Sequence, residues 1–125
     1  MCNMQGLALN SNQIGDAGIT ALATAVGNGA LAQCTFINLS MNQIGDAGLS
    51  ALAGALSSRA LASLEVLNLR GNQIGDAGLS ALAAAVGEGA LASLKELIAD
   101  HGPLGVDHPK LKAACQSWGI TMRGA

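Results

Sequence analysis

The sequence predicts a right-handed α/β solenoid of four units, with a parallel sheet on a concave side and helices on a convex side. Three observations carry this. The heptapeptide Asn-Gln-Ile-Gly-Asp-Ala-Gly starts at Asn12, Asn42 and Asn72, a period of 30 residues, and Asn42–Ala53 is identical to Asn72–Ala83. Within each unit the apolar spacing changes from two to a mixture of three and four. Finally, half of the 125 residues are apolar, only 11% are charged and 17 are Gly, which suits close-packed layers joined by turns and excludes a disordered chain.

The strand of the third unit is read from Leu64, Leu67, Leu69 and Ile74, where alternation at 67 and 69 marks a half-buried strand. Leu79, Leu82 and Val86 then form a helical stripe. Asp76 stands where a local N-cap is expected, and Gly87 where the helix should stop. One such unit cannot bury its stripe alone, whereas stacked units merge their stripes into one core.

The pattern Leu64-x-x-Leu67-x-Leu69-x-x-Asn72-x-Ile74 resembles the leucine-rich repeat. Cys34, Ile37, Leu39, Asn42 and Ile44 match it in the second unit, and Met4, Leu7, Leu9, Asn12 and Ile14 in the first. A fourth copy is degraded: Leu94 and Leu97 fit, but Ala99 and Gly102 replace Leu and Asn. Leu111 and Cys115 stand for Leu82 and Val86 in its shortened helix. The long helical half is similar to the ribonuclease-inhibitor-like subfamily, also found in NOD-like receptors and in the Ran GTPase-activating protein. The expected organisation is a single domain, residues 1–125, with repeats near 4–33, 34–63 and 64–93 and a modified capping repeat at 94–125. Trp118, Ile120 and Met122 are expected to fold over its last core layer. The resemblance implies that the repeated Asn turns inward to bond loop backbone.

A net charge of −2 argues against nucleic acid, which needs a basic stripe. No charge occurs from Ala17 to Gly45, but Asn, Gln and Gly interrupt that stretch, so no membrane span is expected. Three widely spaced cysteines, Cys2, Cys34 and Cys115, without C-x-x-C, argue against a disulfide framework or zinc site. Buried, reduced thiols at Cys34 and Cys115 and a cytoplasmic location follow as expectations. Gly-Asp-Ala-Gly supplies one carboxylate per 30 residues, too few for calcium, and no P-loop sequence occurs. No cofactor is expected. A Cys115 dyad with His101 or His108 has nothing to orient it, so no catalytic centre is expected.

The remaining chemistry lies at positions the core does not require. On the concave face these are Phe36, Asn38 and Met41, then Val66, Asn68 and Arg70, then Glu96, Asp100 and His101 as an acidic rim. Aromatic, Met and Arg side chains favour interface centres. The expected function is a module that binds a protein partner through this face, as the C-terminal part of a longer array. The alternative is regulation of a GTPase, as in the Ran GTPase-activating protein. The first repeat has no cap, so self-association through its bare strand is also expected.

Overall fold

A computed structural model describes residues 13–29, 31–57, 60–102 and 104–124, and the backbone of 6–8. Five strands and four helices alternate: β1 (Gly6–Ala8), α1 (Gly15–Gly27), β2 (Phe36–Asn38), α2 (Asp46–Leu56), β3 (Val66–Asn68), α3 (Asp76–Gly87), β4 (Glu96–Ala99), α4 (Pro109–Ser117) and β5 (Thr121–Gly124). The strands form one parallel sheet in chain order. Each helix packs on the next. The α/β solenoid expected from the repeat is the observed architecture.

The core consists of columns with the 30-residue period. Ile19, Leu49 and Leu79 are at most 2% exposed, and so are Val26, Leu56 and Val86, and Leu31, Leu61 and Leu91. The strand column Ile37, Leu67 and Leu97 faces them. Leu111 and Cys115 close the last layer with no exposed surface, as their alignment with Leu82 and Val86 predicts. Helices α1 and α3 end where Gly29 and Gly89 take φ of 83° and 82°. These glycines, two residues beyond Gly27 and Gly87, supply the left-handed turn that stops the helix.

The inward asparagines are seen in full at Asn42 and Asn72. Asn72 Oδ1 accepts from the N–H groups of Asn42 (2.9 Å) and Ile44 (3.0 Å), and its Nδ2 donates to the carbonyls of Leu39 and Leu69, both at 2.9 Å. Asn42 repeats the link one layer back, accepting from Ile14 N–H at 3.3 Å. The side chain therefore ties each turn to the preceding one, which satisfies groups that water cannot reach. Asn12, Met4 and Leu9 lie outside the described residues, and so does most of what would decide the expected bare first strand.

The aspartates do something that local capping does not anticipate. Asp76 is the first helical residue of α3; Gly75 is the N-cap and has no side chain to offer. The cap comes from the previous repeat: Asp46 Oδ1 accepts from Gly75 N–H at 2.7 Å and Gly78 N–H at 2.8 Å. Asp16 does the same for Gly45 and Gly48, at 2.7 and 2.9 Å. A Cβ at Gly78 would meet Asp46 Oδ1 at 2.7 Å and Ile74 Cγ2 at 3.0 Å. Gly-Asp-Ala-Gly thus encodes one joint: a glycine N-cap, a carboxylate given forward, an exposed alanine, and a glycine that admits the carboxylate from behind.

The last joint differs. His108 is the N-cap of α4, is 2% exposed, and its Nδ1 accepts from Leu111 N–H at 3.3 Å. That assigns the ring proton to Nε2, which donates to Asp76 Oδ1 at 2.7 Å. Pro109 then occupies the first helical position, where no N–H is needed.

The chain end covers the last layer with Ile120 and Met122, as expected, but does so as a strand: residues 121–124 add a fifth parallel strand, with Met122 opposite Leu97. Ile120 is buried, Met122 is half-buried, and Trp118 stays 44% exposed with its Nε1 donating to Gly87 O at 3.3 Å. The Ile-x-Met alternation is that of a strand, and an open sheet edge offers it a full ladder of backbone bonds.

Candidate functional site

The sheet face away from the helices carries two rows set by the register. One is Gly6, Phe36, Val66, Glu96 and Thr121; the other is Ala8, Asn38, Asn68, Ile98 and Arg123. Phe36 and Val66 are in-register neighbours, both half-buried, and form the apolar part of the face. Arg70 follows β3, is exposed, and its guanidinium makes no ion pair among the described residues.

The other expected site residues are placed less freely. Asn38 Oδ1 accepts from Ser40 N–H at 3.0 Å and Ser40 Oγ at 2.7 Å, and Asn68 Oδ1 from Arg70 N–H at 3.0 Å. Their carbonyl ends hold the turn, and their amide ends make no hydrogen bond among the described residues. Glu96 is paired with Arg123 (Oε2 to Nε, 3.3 Å), and Asp100 Oδ1 accepts from Gly71 N–H at 3.0 Å. The His101 ring lies against the backbone of Gly124. Within the expected acidic rim, β5 thus brings a cation to Glu96, and Asp100 serves the turn of the previous repeat. Ile98, an outward position by the pattern, is only 6% exposed between Asn68 and Arg123.

Met41 is not part of the Phe36–Val66 patch. It sits in the turn after β2, at φ 60° and 52% exposed, on a lip it shares with Gln13, Gln43, Gly71 and Gln73. Sequence reading passed over these glutamines, although an exposed residue kept in all three copies was the available signal.

The cysteine–histidine pairings do not form. Both ring nitrogens of His108 are engaged, and His101 lies on the strand β5. Burial pushes the Cys115 thiol up to about 11. Cys34 is fully buried and disulfide-bonded, to a partner outside the described residues. This corrects the expected reduced thiol and removes the argument from cysteine usage for a reducing compartment. Among the described residues no cluster of His, Cys, Asp and Glu could hold a metal ion, and no helix is long and apolar enough to cross a membrane.

No curated protein matches the sequence significantly. A family model described as Leucine Rich repeat matches residues 1–23, 35–53 and 60–83, more than half of the chain. Its matches span the asparagine turns and the joints that stack one unit on the next, and on this ground the chain belongs to the leucine-rich repeat family.

Proposed function

We propose that the chain is a protein-interaction module whose partner lies across the open sheet face, over Phe36, Val66 and Arg70. Leucine-rich repeats are generally interaction modules. The observation that carries the proposal is the in-register pair Phe36–Val66 on the open face, with Arg70, exposed and without an ion pair among the described residues, in the turn that follows β3. Half-buried apolar rings and chains lose their remaining water on contact. Arg70 offers a forked donor that matches a partner carboxylate. The amide ends of Asn38 and Asn68 add polar contacts in the next row, and Glu96, Asp100 and His101 form its structured margin. The partner so described presents an acidic group next to an apolar side chain. Ribonuclease-inhibitor-like repeats, as the sequence resemblance implies, are compatible with this use.

The test is affinity isolation with wild-type chain, Val66→Ala, Arg70→Glu and the helical-face variant Ala84→Arg, each checked for folding by circular dichroism. Arg70→Glu should abolish recovery of the bound protein, Val66→Ala should reduce it, and Ala84→Arg should leave it unchanged. Loss confined to Ala84→Arg would place the partner on the helices and refute the proposal.

A further inference from the structure

Asn38 differs from Asn68, its equivalent in the next repeat, in what stands two residues on. Of the asparagines in the chain it alone opens an Asn-x-Ser/Thr triplet, Asn38-Leu39-Ser40, where the next repeat reads Asn68-Leu69-Arg70. Such a triplet is the acceptor sequence for an N-linked glycan. The local geometry fits that chemistry. Asn38 Oδ1 accepts from Ser40 N–H at 3.0 Å and from Ser40 Oγ at 2.7 Å. A backbone N–H can only donate, so the bonded end of the carboxamide is the oxygen and Nδ2 is the end left unbonded among the described residues. The residue is half-buried on the open sheet face, with Ala8 and Asn68 as its register neighbours. A second observation is independent of the triplet. Cys34, which begins the same repeat, is disulfide-bonded. Disulfides persist in oxidising, secretory compartments, where N-linked glycans are also added.

We propose that Asn38 carries an N-linked glycan, and that this glycan shields the Phe36–Val66 pair. In the transfer, Nδ2 attacks C1 of an N-acetylglucosamine held on a lipid diphosphate. The Nδ2–C1 bond forms, the C1–O bond breaks with its electron pair leaving on the diphosphate, and one Nδ2 proton passes to a base of the transferase. The other proton stays on Nδ2. The modified side chain is therefore still an amide, and Oδ1 goes on accepting from Ser40, so the turn after β2 keeps its bonds. Asn68 has the same fixed oxygen, accepting from Arg70 N–H at 3.0 Å, but no hydroxyl stands two residues on. It stays a plain carboxamide, and only one of two equivalent positions is modified. The shielding rests on the partner surface proposed above. Phe36 precedes Asn38 by two residues on the same strand and face, roughly 6.6 Å along the chain, so the first sugars stand over it. A chain with the glycan offers Arg70 without the apolar pair, and a chain without it offers the whole surface.

The test is expression of the whole chain in a eukaryotic host behind a cleavable secretion signal, with mass spectrometry before and after peptide N-glycosidase digestion. The peptide that contains Asn38 should carry a glycan that digestion removes, converting the carboxamide to a carboxyl. Ser40→Ala and Asn38→Gln should each abolish it, and Ser40→Thr should keep it. Arg70→Ser should add a second glycan, at Asn68. Without reductant, Cys34 should be recovered in a disulfide. An unmodified Asn38 in the wild type overturns the proposal. So does a glycan that survives Ser40→Ala, a free Cys34 thiol in the secreted chain, or a glycosylated chain whose circular dichroism lacks the helical signal of the unmodified one. Tunicamycin, which blocks synthesis of the lipid-linked sugar, gives the same sequence without the glycan. In affinity isolation that form should recover the bound protein, and the glycosylated form should not. Equal recovery by both forms overturns the shielding. Recovery by neither refutes the proposed partner surface instead, while the mass spectrum still decides the glycan.

Discussion

Replacing Asp46 by Ala removes the acceptor for two backbone N–H groups of the following helix, those of Gly75 and Gly78. Gly78 is buried, so its N–H is left without water, a loss of about 1–3 kcal/mol. Gly75 is half-buried and recovers part of its bond from solvent, leaving about 1 kcal/mol. The expected destabilisation is therefore about 2–4 kcal/mol, a large share of the roughly 5–15 kcal/mol of a whole domain. Asp46→Asn keeps an oxygen but loses the charge, and should cost about half as much. Urea unfolding followed by circular dichroism measures both. Hydrogen exchange adds the location: Gly75 and Gly78 should lose protection, while Gly45 and Gly48, held by Asp16, keep theirs. Gly78→Ala should also destabilise, since the new methyl would lie 2.7 Å from Asp46 Oδ1. The two substitutions share one atom, so the double variant should be more stable than the sum predicts by about 1 kcal/mol. Full additivity, or an Asp46→Ala variant within about 0.5 kcal/mol of wild type, would show that water caps the helix and that the joint is decorative.

Asn72→Ala orphans two N–H donors and two carbonyls and should cost about 2–4 kcal/mol. Arg70→Ala, on the surface, should stay within about 0.5 kcal/mol in the same urea assay. Cys115 has no exposed surface, so iodoacetamide at pH 8 should alkylate it only after urea unfolds the chain. Its folded value near 11 lies above the ordinary value of 9.0, so its contribution to stability is complete below pH 9 and lost as pH rises toward 11. Wild type minus Cys115→Val, measured across that window, isolates the slope.

The core columns were legible because a period of 30 names the same residue type at each buried site: Leu49 predicts Leu79, and Leu61 predicts Leu91. The inward asparagines were legible for a similar reason, since a polar residue fixed beside the apolar strand has to bond the turn. The aspartates were misassigned because capping rules describe residues three apart on one helix, whereas Asp46 acts 29 and 32 residues ahead. The clue was the pair of glycines flanking it, more than a local cap needs. On the open face, Phe36, Val66 and Arg70 could be placed from alternation alone. The engagement of Glu96 could not, because it depends on β5, a strand at Thr121–Gly124 whose only signal is Ile120 and Met122 two apart.

The forward-given carboxylate makes length itself a heritable variable. Each joint uses residues from two adjacent units and none from a third. Excision of residues 43–72 would fuse Asn42 to Gln73 and set Asp16 beneath Gly75 and Gly78, the same residue types as the Gly45 and Gly48 it now serves. Duplication of that stretch would insert a unit with both of its joints already correct. Unequal recombination between the near-identical segments can therefore shorten or extend the array in whole steps. Each product keeps its stacking chemistry, while substitutions on the open face are left to diverge from one unit to the next.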